Sequence, residues 1–184
     1  MKRLHLIGCL LLLVSLQACI SNVFDGDDSG KHNKASTDIF MDKDDVQFAV
    51  NAANIGLTEI ELGKLGIQKG TDKRVKNFGA LLIKNHTKIG TRLQLLASKR
   101  KITLPLNIDT ATQKSIAALN KYSGKAFDNA YLDYIIRDHQ SGIKIFEYAS
   151  KHVVDADLRK IAAKNLLVLN RHLEAISVVR GNMK

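Results

Sequence analysis

"FDNAYLDYIIRDHQSGIKIF", residues Phe127 to Phe146, carries Asp128, Leu132, Ile135, His139, Gly142 and Phe146 at alternating steps of four and three. Such steps follow one face of an α-helix, whereas one face of a strand repeats every second residue. Ala149 continues the series, so the spacing predicts a helix over about 126–152. A face that repeats in heptads turns toward other helices. This face includes an imidazole, so His139 is directed at the interior of its own domain.

Three more segments show a helical period. Over about 72–100 the seam reads Val75, Gly79, Leu82, His86, Ile89, Leu93, Leu96; from after Asp155 to about 180 it reads Leu158, Ala162, Asn165, Leu169, His172, Ile176, Val179. The segment at about 43–69 is looser, with Ala49, Ala52, Gly56, Glu59, Gly63 and Gly66. Gly70 is placed to end the first helix and Thr71 to cap the second. The first and second helices, and the third and fourth, are joined by short connections, which make antiparallel hairpins. The connection between the hairpins, about 101–125, is long. It holds the single proline, Pro105, and a short helix expected at about 110–122. One long crossover between two helical hairpins is the ferritin-like arrangement. The expected fold is therefore an all-α, ferritin-like four-helix bundle over 41–181, with a short extra helix in the crossover.

The first 18 residues do not belong to that fold. "MKRLH" is a basic leader and "LIGCLLLLVSL" an apolar run of signal-peptide length, short for a bilayer span. "LQAC", residues 16–19, resembles the lipobox of bacterial lipoproteins. That resemblance implies cleavage before Cys19 and acylation of Cys19, and places the protein in the cell envelope, membrane-anchored and facing the periplasm or the outside. The alternative is an ordinary secretory signal with a coincidental cysteine. The only other cysteine, Cys9, leaves with the signal. The body then has no thiol for a disulfide, a metal or nucleophilic catalysis. Residues 20–40 are polar and without period, and read as a tether with a mean reach of about 25 Å. Loss of Lys2 and Arg3 lowers the formal charge from +10 to +8. A basic protein beside an anionic membrane is drawn to it.

The stretches "FAVNAANIGLTEIELGKLG" (48–66), "VKNFGALLIKNHTKI" (75–89), "FDNAYLDYIIRDHQSGIKIF" (127–146) and "NLLVLNRHLEAI" (165–176) resemble the domain-of-unknown-function 4142 family. The resemblance runs from about 44 to 178. It implies an exported bacterial protein, often lipid-anchored, with a ferritin-like fold and no firmly assigned activity. The family's usual Asp-His pair stands intact as Asp138-His139, but on the second helix it is Asn85-His86. That departure weakens a carried-over role for an acidic partner at 85.

Each long helix thus places one metal-capable residue on its inner seam: Glu59, His86, His139 and His172. If the third helix runs parallel to the second, their heights above the first turn are about 17, 22, 21 and 14 Å. A simple up-down topology would also bring them together. Gly56, Gly63, Gly90 and Gly142 lie within a turn of these residues. Each interior glycine costs up to about 1 kcal/mol relative to alanine. They imply either close helix crossings or room for an ion or small ligand. Glu59 with three histidines can satisfy itself by hydrogen bonds alone, or hold a metal. A mononuclear His-rich set suits one divalent transition ion, Zn, Cu, Fe or Ni. A ferroxidase-type di-iron centre would need Glu-x-x-His pairs, but Ile83, Ile136 and Leu169 occupy those positions. Asp138 is placed to orient a neighbouring imidazole. Asn165 is placed to do the same or to fix helix register. His32 and His152 lie away from the cluster.

Lys84, Lys88 and Arg92 step by four along the second helix. Such a stripe is either a solvated face or a contact for an anionic envelope surface or acidic protein. A nucleic-acid partner is not expected, because no aromatic platform or helix-turn-helix pattern accompanies the charge. No Gly-rich phosphate loop, nucleophile-base motif or paired acid-base carboxylates point to an enzyme. The sequence favours a non-enzymatic, lipid-anchored envelope protein with a metal or small-ligand site in its bundle. The competing reading is a structural or interaction module that docks through the basic face, its Glu/His cluster purely structural.

Overall fold

The computed structural model of the protein describes residues 41–183. The expected signal peptide (1–18), Cys19, and the tether to residue 40 with His32 lie outside the described residues. Among the described residues five helices form: α1 (Lys43–Lys69), α2 (Lys73–Lys99), α3 (Thr110–Leu119), α4 (Gly124–His152) and α5 (Ala156–Gly181). At 1.5 Å per residue the four long ones are each about 40 Å.

Aspartates start four of the five helices. Asp42, Asp72, Asp109 and Asp155 accept from backbone N–H groups of the first turns of α1, α2, α3 and α5. A carboxylate there satisfies an orphan amide and faces the positive end of the helix dipole. Asp72 therefore replaces Thr71 as the expected cap, since the Thr71 hydroxyl is committed to Asp128. α3 stops three residues short of the expected end. Tyr122 N–H bonds back to Leu119 O at 3.1 Å, closing a tight turn. Gly124, at φ 58°, then starts α4 two residues earlier than expected. That left-handed backbone favours glycine.

Three contacts fix the topology. Asp45, near the start of α1, accepts from Val154 N (2.7 Å) and Asp155 N (2.8 Å) between α4 and α5. Asp128, near the start of α4, accepts from Thr71 N (3.0 Å) and Asp72 N (2.9 Å) between α1 and α2. Arg100, just past α2, bonds Asp155 and Asp157 at 2.7 and 3.0 Å, where α5 begins. α1 is thus antiparallel to α4, and α2 to α5. α2 and α4 start at the same end and run parallel. The segment from Arg100 to Ser123 must then traverse the bundle, which is the ferritin-like crossover.

The apolar core falls into two parts. Phe48, Leu93, Leu96, Phe146, Leu158 and Leu169 fill the end near Asp45. Leu62, Phe78, Leu82, Phe127, Tyr131 and Ile176 fill the end near Asp128. Burying each large side chain contributes about 1.5–3 kcal/mol. On every long helix the Glu or His of the seam lies between residues of the two parts. The seams are buried as expected, save that Ile89 and Val179 are half-buried.

The glycines divide between the two expectations. At Gly63 a Cβ would stand 2.6 Å from Gly79 O, and at Gly79 one would stand 2.6 Å from Gly63 O, so here α1 and α2 cross backbone to backbone. At Gly142 a Cβ would meet Ile55 and Leu169 at an ordinary 3.8 Å. At Gly56 and Gly90 it would meet nothing within 4 Å. These two border real space.

Candidate metal centre

α1 supplies Glu59, α2 His86, α4 His139 and α5 His172. They are 0%, 3%, 0% and 2% exposed. Ligand-capable atoms of His86, His139 and His172 lie within 4.8 Å of one another, and so do those of Glu59, Asp138 and His139. His139 joins the two sets. Its Nδ1 is 3.1 Å from Glu59 Oε1, and its Nε2 is 3.3 Å from His172 Nδ1. His172 Nε2 is 2.8 Å from Asn85 Nδ2. The His86 and His172 rings are 5.5 Å apart, and Phe78 sets its edge against His172 at 5.8 Å.

Hydrogen bonding leaves this centre incomplete. His139 Nδ1 also lies 3.2 Å from Ile135 O, the backbone carbonyl one turn back. The approach to Glu59 is close but poorly aligned, and neither Glu59 oxygen accepts a well-formed hydrogen bond from an amide, imidazole or hydroxyl group. His86 Nε2 has none. The chain from Asn85 to Glu59 is consistent if Asn85 donates to His172 Nε2, His172 Nδ1–H to His139 Nε2, and His139 Nδ1–H toward Glu59. A charged His139 reverses the His139–His172 bond and turns the Asn85 oxygen toward His172.

Charge follows the same geometry. Burial pushes Asp138 up to about 8, reinforced by the charge of Glu59 and a hydrogen bond to it. Asp138 therefore holds a proton at neutral pH and donates it to Glu59. Burial alone would raise Glu59, but the charge of His139 and the contact with it hold the carboxyl below its ordinary value. Burial alone would lower His139, and the charge of Glu59 outweighs it and raises the imidazole. His86 is lowered, chiefly by burial. His172 is lowered to about 4 by burial and by the charges of His86 and His139.

The donor set fits a transition ion. Two nitrogens about 2.05 Å from a tetrahedral ion stand about 3.3 Å apart, so the His139–His172 spacing suits two ligands of one metal. Neutral His86 and His172 have the protonation state a ligand needs. The unpartnered His86 Nε2 would gain the bond it lacks, and the carboxylate offsets part of the ion's charge.

The structure gathers the four seam residues and places Asp138 beside Glu59 rather than only beside an imidazole. Asn165 is buried, but its amide nitrogen has no partner and no hydrogen bond joins it to His172, two turns away. Asn85 takes the place beside His172 instead. The Asp-His pairing of the resemblance marks that position, which here carries an amide. Lys84, Lys88 and Arg92 are all exposed on α2, and His152 is exposed at the end of α4.

Residues 31–179 match the family described as "Domain of unknown function (DUF4142)". Among solved structures, a DUF305 fragment from Deinococcus radiodurans is similar, with a TM-score of 0.68 and 11% identity over 77% of this chain and 97% of that one. At that identity the likeness concerns the fold. No curated protein matches the chain. Among the described residues, no helix is long and apolar enough to cross a membrane.

Proposed function

The chain belongs to the DUF4142 family, and from that premise we propose a non-enzymatic, lipid-anchored protein of the cell envelope. It binds one divalent transition ion through His86, His139 and His172, with Glu59 on the other side of the His139 ring as counter-charge. One observation carries the metal reading: three buried imidazoles from three helices converge within 4.8 Å, and one of them has a nitrogen without a partner. Asp138 holds Glu59 and His139 from the side, and Asn85 orients His172. The exposed stripe of Lys84, Lys88 and Arg92 faces an anionic envelope surface. Cys19 carries the lipid.

A second reading rests on Asp138. Its proton gives Glu59 a donor without any ion, so the same residues can form a purely structural polar core in an envelope interaction module. Metal titration separates the two. Zn, Cu or Ni should raise the melting temperature with ligand excess, as mass action requires. His139→Ala should abolish that rise and His152→Ala should retain it. Absence of stabilisation by all three ions, with no metal co-purifying, leaves the structural reading. Anchoring is tested separately, since Cys19→Ser should move the protein from the membrane fraction to the soluble one.

A further inference from the structure

A cleft of about 480 Å³ opens between α1 and α2 beside the metal centre and is bounded by Leu104 and Pro105 of the crossover. Gly56 and Gly90 line it from opposite helices, and these are the two glycines where a Cβ would meet nothing. Leu95 and Leu106, 62% and 83% exposed, are among its apolar lining. No Lys, Arg, Asp or Glu lines it. His86 borders it, with its Nε2 buried away from the opening.

From these features we infer that the cleft is a binding site for a small neutral apolar molecule with at most one hydrogen-bonding group, such as a phenol, ketone or arylamine. The volume falls in the range of pockets that enclose small ligands, and such pockets are mostly apolar with few polar groups. Thr87, Thr91 and Gln94 are among the lining and offer partners for the ligand's one polar group. An anion is disfavoured. It would enter an apolar cleft that offers no cationic side chain, next to a histidine that already feels the charge of Glu59. Helix interiors disfavour glycine, yet α1 and α2 keep one on each wall where nothing else occupies the space. The site needs no metal, so it stands or falls apart from the reading above.

A matched pair of fluorescent probes tests this on the purified full chain. Phenylnaphthylamine is neutral with one N–H group, and anilinonaphthalene sulfonate is the same skeleton with an anionic group. The neutral probe should bind saturably, one per chain, and more tightly than the sulfonate. A merely apolar patch on a protein of net charge +10 would prefer the sulfonate. Gly90→Leu fills the cleft and should weaken the neutral probe by about tenfold or more, which corresponds to about 1.4 kcal/mol. Helix propensity favours that change, so the melting temperature should not fall. Gly56→Leu is the second variant if Gly90→Leu fails to fold. Zn, Cu or Ni should stabilise Gly90→Leu as much as the parent, which separates this test from that of the metal. Tighter binding of the sulfonate, no saturable binding of the neutral probe, or unchanged affinity in a folded cleft-filled variant would overturn the proposal.

Discussion

Asp45 and Asp128, near opposite ends of the bundle, are as buried as Glu59 at its middle: 2%, 1% and 0% exposed. Their surroundings differ. Asp45 accepts two backbone N–H groups of the α4–α5 turn. Asp128 accepts two from the α1–α2 turn and the Thr71 hydroxyl. Each end carboxylate closes a turn between two other helices and finds donors enough. Glu59 has an ill-aligned imidazole and the proton of another acid, and the neighbouring His86 Nε2 has nothing. Buried polar groups that lock a fold are satisfied by the fold. Asn165 is also short of a partner, but only at Glu59 and His86 does the shortage coincide with converging imidazoles.

The largest effect should come from the ends. Asp128→Ala strips the donors at Thr71 and Asp72 of their acceptor and should lower unfolding free energy by about 3 kcal/mol in urea titration. In contrast, His86→Leu in the metal-free protein removes an unpaired polar atom and should change stability by less than about 1 kcal/mol. A severe loss in His86→Leu would erase the distinction between end and middle.

The next effect is a pH dependence of the metal-free protein. His172 is held near 4 in the fold against an ordinary 6.5, so its contribution is present above 6.5 and lost as pH falls toward 4. His86 shares that direction. Asp138 is raised from 3.8 to about 8, so its contribution is complete below 3.8 and lost as pH rises through about 8. His139 is also raised, and its contribution is lost as pH climbs through its folded value. Stability should therefore decline on both sides of a maximum near neutrality. Asp138→Asn removes part of the alkaline decline and keeps a donor for Glu59. Its advantage over the parent should grow as pH rises from about 4 toward 8 and level off above that. Parallel stability curves for the two proteins would mean that Asp138 keeps no proton.

The smallest effect belongs to the surface. Changing Lys84, Lys88 and Arg92 together to Gln should alter stability by less than about 0.5 kcal/mol, since exposed charges contribute little. The same variant should bind anionic liposomes more weakly at low salt. Equal binding would return the stripe to a solvated face.

Seam periodicity is a local property of the chain. Side chains three and four residues apart share a helix face whatever lies opposite, so Glu59, His86, His139 and His172 were legible as inward residues, and short connections gave the hairpins. Gly70 and Asp155 marked helix ends for the same local reason. Thr71 misled because its hydroxyl answers to Asp128, 57 residues away, and leaves the cap to Asp72. Asn85 lies off the seam, and only the rotation of α2 against α5 brings it to His172. The same packing leaves Asn165 apart from the histidines although its spacing matches theirs. Glycine shows the division most sharply. The sequence could say that Gly56, Gly63, Gly90 and Gly142 each forgo a side chain. Only the approach of one backbone to another, set by the packing of whole helices, decided that Gly63 is a crossing and that Gly56 and Gly90 border a cleft.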